Sequence, residues 1–287
     1  MTAIAAPFTG QPYRSALGHN LSFGGIVKSE WIKLRSLRST WWCAVLLFVL
    51  TIGFVFMLVS SLVSQAELSS TAEALNADGY AVGATGRALF MVGEVIAIVL
   101  GALTVTSEYS SGSIRSTLAV APRRGPVLAA KALVVGAFTA VIGAVTLLAG
   151  TVAAVAVMSA AGYDATFGSD AVKMAVGTVF ALVATAMVGL GLGFVIRSSA
   201  GAIASGLGLY LIIPMIMMIA AAKEWMATVL QLLPSQAAEL TVTLASSVVS
   251  SDGQPLLGGY WGGMACQAAW AAAALICGYV VFKRRDA

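Results

Sequence analysis

The sequence predicts an all-α polytopic membrane protein with six transmembrane helices and an amphipathic interfacial helix before the first. Three observations carry this. Hydrophobic residues make up 59% of the 287 and charged residues only 10%, against about 25% charged in a soluble domain. So few charges cannot coat a fold of this size in water. Apolar stretches of about 20 residues, the length that spans hydrocarbon as a helix, recur six times. The basic residues gather at alternate ends of those stretches.

Composition also excludes some classes. The net charge is +4, but no long run of Lys and Arg exists to track a phosphate backbone, so no nucleic acid is expected. Cys43, Cys266 and Cys277 lie in apolar runs without CxxC spacing. They read as small hydrophobes, not as a disulfide framework or a metal site. No cofactor is expected.

Residues 1–21 read as a flexible cytoplasmic tail, with Pro, Gly and polar residues but no apolar core of the kind a signal peptide needs. Residues 22–287 read as a single six-helix domain. Within it, 22–41 (SFGGIVKSEWIKLRSLRSTW) places Phe23, Val27, Leu34, Leu37 and Trp41 at spacings of 3, 4 and 7, the stripe of an amphipathic helix. Its apolar face would rest in lipid and its cations, Lys28 and Arg35, at headgroups. Trp31 belongs to the same interfacial segment. Glu30 falls near the middle of the stripe, and Lys33, three residues on, is within reach to pair with it.

The spans are expected near 42–63, 88–106, 128–157, 172–196, 200–222 and 260–282. The third is overlong and must tilt or project. The fourth and fifth meet at Arg197-Ser198-Ser199 and form an antiparallel hairpin. Thirteen Lys and Arg fall on the side of both termini; Arg87, Lys173 and Lys223 alone fall on the other. The positive-inside rule puts the first set, and both termini, in the cytoplasm. In the outer loop 223–259, Trp225, Val229, Leu232 and Leu233 recur at helical spacing, and Pro234 is expected to break or kink the chain after it. Two readings stand there: short helices dipping into the outer leaflet as a lid, or an interfacial helix and a loop.

The loop 104–131 reads TVTSEYSSGSIRSTLAVAPRRGPVLAAK. It is polar and basic and has room for one short helix, from Ser113 as cap to about Leu118, closed by Pro122. The stretch TSEYSSGSIRSTLAVAPRRGPVLAAK, with SEWIKLRSLRSTWW before the first span, resembles ABC-2 type permeases, the membrane subunits of ATP-binding-cassette transporters, in the form common among actinobacteria. The resemblance implies an exporter subunit in the bacterial plasma membrane, working as a homodimer or as a heterodimer with a similar permease. It implies that the entry helix is a connecting helix and that the second-to-third loop holds a coupling helix seated on an ABC ATPase subunit. It also implies short re-entrant helices before the last span. Carried over residue by residue, the coupling region is Glu108, Tyr109, Gly112, Ile114, Arg115, Pro122, Arg123 and Arg124. Ser110-Ser111 stand where many relatives have a basic residue and a polar one.

Chemistry agrees with a subunit that is not itself an enzyme. The sequence contains no GxxxxGK[ST] phosphate loop, so ATP hydrolysis is expected on a partner. An intramembrane protease would need a Ser–His pair, metal ligands or paired carboxylates; the one histidine, His19, lies in the tail. A proton-coupled secondary transporter or a non-catalytic assembly protein remains the alternative. Glu94 is the only acidic residue inside a span. A carboxylate there costs about 2–3 kcal/mol, so it lines a pathway, or pairs with Arg87, or bonds a neighbouring hydroxyl, or snorkels outward. The glycines of the fourth, fifth and sixth spans predict close helix packing, within the chain or between chains.

Overall fold

Ten helices follow one another in the computed structural model, which describes residues 22–68, 75–120, 124–220, 229–244 and 257–284. They are α1 (Phe23–Ser36), α2 (Arg38–Leu68), α3 (Tyr80–Ser110), α4 (Ser113–Val120), α5 (Arg124–Ala160) and α6 (Ser169–Ile196). Then come α7 (Ser199–Leu207), a π-helical turn (Gly208–Ile212), α8 (Ile213–Ala220), α9 (Pro234–Val242) and α10 (Tyr260–Arg284). No strand occurs among these residues. Six helical units are long and apolar enough to cross a membrane: α2, α3, α5, α6, α7 through α8, and α10. The predicted tail, Pro122, Arg123, Lys223, Trp225 and Arg285 lie outside the described residues.

The bundle is organised around α3 and α6, which make the most extensive contact. Glycine makes this possible. A Cβ on Gly101 would sit 2.2 Å from the Ala186 carbonyl oxygen, and one on Gly189 2.5 Å from that of Ile98. On the other flank of α6, a Cβ on Gly191 would sit 2.4 Å from the Ala274 carbonyl oxygen of α10. Of the glycines expected to bring helices together, Gly189, Gly191, Gly206 and Gly263 do so within the chain, whereas Gly208, Gly258 and Gly259 have nothing within 4 Å of an added Cβ. Small residues let two backbones meet where no side chain fits between them.

Three expectations change. The entry helix does not run to residue 41. Leu37 is extended (φ −76°, ψ 120°), so α1 ends at Ser36 and the first span begins at Arg38. The carbonyls freed at such an end need donors. Ser36 Oγ donates to the Lys33 carbonyl at 2.8 Å, and the Trp41 indole N–H to that of Arg35 at 3.0 Å. Pro234 starts a helix instead of breaking one: it sits in the first turn of α9, where its missing N–H is no loss. Finally Arg87 does not reach Glu94; it pairs with Glu239 of α9 at 2.8 Å.

The overlong third span is real. α5 runs 37 residues, about 55 Å at 1.5 Å per residue, well beyond the hydrocarbon thickness. The fifth span is not a plain helix. Pro214 is the second residue of α8, and its ring would clash with the carbonyl four residues back, that of Tyr210. The wider π turn lies at that place, with Tyr210 buried within it. Helix α9 is buried at Pro234, Ala237, Ala238, Leu240, Thr241 and Val242. It packs on α6 and α10, and Gln267 of α10 donates to Thr241 Oγ1 at 3.0 Å.

Candidate functional site

The expected coupling loop folds into a turn and a helix. At Gly112 the backbone enters the left-handed region (φ 70°), which glycine takes at no steric cost; α4 then runs from Ser113 to Val120. Ser113 is the first helical residue, not a cap beyond it, and its hydroxyl meets that of Ser111 at 3.0 Å. Ile114 anchors the helix: it is buried in a cluster with Leu128 of α5, Phe194 of α6 and Phe282 of α10. Arg115, beside it, is exposed.

Below this turn lies a network of four charges. Lys131 of α5 donates to Glu30 Oε2 at 2.6 Å, to Glu108 Oε1 at 2.9 Å and to the Thr104 carbonyl at 3.2 Å. Lys33 of α1 donates to Glu30 Oε1 at 2.7 Å, and to Glu108 Oε1 and Thr117 Oγ1 at 3.1 Å each. Glu30 and Lys131 are 3% exposed and Glu108 is 7% exposed. The network therefore joins the entry helix, the end of α3, α4 through Thr117, and the start of α5.

Burial alone raises the pKa of Glu30, but Lys131 and then Lys33 more than offset it, and the carboxyl ends below its ordinary value of 4.5. Burial lowers that of Lys33, yet Glu30 and Glu108 raise it above its ordinary 10.5. The stabilisation carried by Glu30 is thus whole above pH 4.5 and is lost as pH falls through its lowered pKa. That carried by Lys33 is whole below 10.5 and is lost as pH rises through its raised one.

The pairing of Glu30 with Lys33 is the one the spacing suggested. The surroundings are not. The centre of the α1 stripe, Glu30 and Leu34, is buried against α5 instead of lying open to lipid. Trp31 stays partly exposed and meets Phe138 edge-on at 6.3 Å; the Arg35 side chain is exposed. Glu108, expected at the surface with Arg115, is turned inward. Glu94 is 6% exposed on α3, apart from this network, and no ion pair to it occurs among the described residues.

On the far side of the turn two arginines add tethers. The Arg197 guanidinium lies 4.9 Å over the Tyr109 ring, tying the α6–α7 hairpin to the end of α3. Arg197 itself takes a left-handed conformation (φ 60°), which costs a residue with a Cβ about 1–2 kcal/mol. Arg124 donates to the Phe282 carbonyl, and to the Lys283 carbonyl at 3.3 Å, closing the last turn of α10 where cations are favoured.

Sequence reasoning gave Lys131 and Arg197 only topological weight. A lysine seven residues inside a helix, on a stretch otherwise apolar through Ala160, was the available signal for Lys131. No curated protein matches the chain. The family model described as ABC-2 family transporter protein matches residues 25–287, from the start of the entry helix through all six spans, and the chain belongs to that family of membrane transporter subunits.

Proposed function

We propose that this chain is the membrane subunit of an ATP-driven exporter in the bacterial plasma membrane. Its termini face the cytoplasm, and α4 receives the work of a separate ABC ATPase. Two such permeases form the working unit. The observation that carries the reading is the seat of α4. Ile114 and the Lys33–Thr117 bond fix the helix to the bundle, while Arg115 faces outward, free of the buried network. An element that takes force from a partner needs one face held and the other exposed. Glu108, Lys33 and Lys131 work from behind, as positioning groups. Arg115 offers the charge-assisted contact to the partner's groove.

Two measurements test this. Arg115→Ala should leave expression and folding intact, since an exposed substitution costs within about 0.5 kcal/mol. It should lower co-purification with the ATPase or separate hydrolysis from transport. Wild-type binding and transport in this variant would place the coupling contact elsewhere. The orientation rests on the basic asymmetry. With the three native cysteines replaced, an impermeant thiol reagent added outside should label Ser159→Cys and spare Ser111→Cys. The reverse pattern would invert the topology and remove α4 from the ATPase.

A further inference from the structure

A cavity of about 430 Å³ opens against the charge network. Apolar walls from Leu34, Leu37, Val134 and Val135 meet a polar end at Lys33 and Glu108. The charged donors at that end are spent. An ammonium has three N–H bonds, and both lysines use all three within the protein, on Glu30, Glu108, Thr117 and the Thr104 carbonyl. Ser111 is committed to the Ser107 carbonyl and to Ser113. What is left over is an acceptor: Glu108 Oε2 is buried with no hydrogen-bond partner. A buried carboxylate oxygen left unmet is costly, so the partner it lacks is a donor and not an anion.

Charge narrows the choice. Two lysines against two glutamates leave the network neutral. A bare cation would add a third positive charge beside two others, whereas a zwitterion brings the donor together with its own counter-charge. Position narrows it again. Trp31, Trp41 and Trp42 are all exposed, and exposed tryptophans at helix ends mark the headgroup layer. Leu34, which lines the cavity, also lines the recess of Trp31, Trp41 and Phe138 beside it, so the two lie at one level. We propose that the cavity holds the headgroup of a membrane phospholipid with a primary ammonium, of phosphoethanolamine type. The ammonium donates to Glu108 while the phosphate stays toward water. Glu108 Oε2 is closed off from the cavity as the structure stands, so the ammonium reaches it only with a turn of the glutamate's terminal torsion, which is soft.

The test uses the full-length protein, purified from vesicles holding equal phosphatidylethanolamine and phosphatidylcholine, with retained lipid counted by native mass spectrometry. One phosphatidylethanolamine should stay with each chain, about tenfold enriched over phosphatidylcholine, as loss of a single bond of about 1.4 kcal/mol gives. The trimethylated nitrogen of phosphatidylcholine has no N–H to donate; N,N-dimethyl-phosphatidylethanolamine keeps one and should compete. Glu108→Gln should reduce retention. So should Ser111→Phe, which narrows the cavity from its exposed rim with all four charges in place and decides the matter if the first variant folds poorly. Equal retention of the two lipids would mean that water fills the cavity and would overturn the proposal, as would retention unchanged in both variants. Protection of Ser113→Cys from a thiol reagent by the ATPase and not by the lipid would also overturn it, assigning the donor to a partner side chain. The lipid count needs no ATPase, so its failure leaves the coupling reading standing.

Discussion

Replacing Lys131 with methionine is expected to destabilise the folded chain by about 3–5 kcal/mol, the usual cost of removing one partner from a buried charge network. Methionine keeps the length and the apolar stem and takes away only the ammonium. Glu30 and Glu108 then remain buried with Lys33 alone between them, and Lys33 is the more exposed of the two lysines. Unfolding of the purified protein by heat or by titration with a denaturing detergent reads the loss. A charge-removing second change should return part of it. Glu30→Gln in the Lys131→Met background should be more stable than the sum of the two single effects, because groups in one network do not add. An unfolding midpoint equal to wild type in Lys131→Met would mean that the four charges contribute nothing to the fold.

The second large effect is expected where α3 crosses α6. Gly101→Val puts a branched side chain where even a single Cβ lies 2.2 Å from the Ala186 carbonyl oxygen and 2.7 Å from the Leu190 nitrogen. Both are backbone atoms of the central helix, so no rotamer change makes room. The helices must part, and the penalty should meet or pass the upper end of the about 1–3 kcal/mol typical of overpacking. Gly53→Ala is the control. It lies exposed on α2 with nothing within 4 Å of the new atom, and it should be neutral or stabilising by up to about 1 kcal/mol from helix propensity. The two variants are read in the same unfolding titration. Equal midpoints would show that the close approach of α3 and α6 is not needed.

Much of this fold could be read from one dimension. Hydropathy over about 20 residues marks a span because the bilayer sets the length, and all six appear where the apolar runs lie. The short helix α4 was legible for a similar reason: Gly112 and the polar run around it punctuate an apolar chain. The Glu30–Lys33 contact was legible because both residues share one helix, whose period is known. What sequence did not reveal are contacts between elements. Lys131 stands 101 residues from Glu30 and 23 from Glu108, and nothing in a helical period links them. Arg87 had Glu94 seven residues away on its own helix, yet it found Glu239, 152 residues on, once α9 packed beside it. Pro234 misled because a proline ends one helix and begins another with equal ease, and only the chain before it distinguishes the cases.

The neutrality of the four-charge network has a consequence for biosynthesis. Orientation is decided while segments are being threaded into the bilayer, when basic residues near helix ends act on the insertion machinery one segment at a time. At that moment α5 has only just been made, and Lys131 cannot yet be held in a finished bundle. Both lysines then count at full charge as retention signals on the proposed cytoplasmic side. Once the helices assemble, Glu30 and Glu108 cancel them. The same two side chains thus serve first as an address and later as a joint, and the timing of acid–base pairing separates the two jobs.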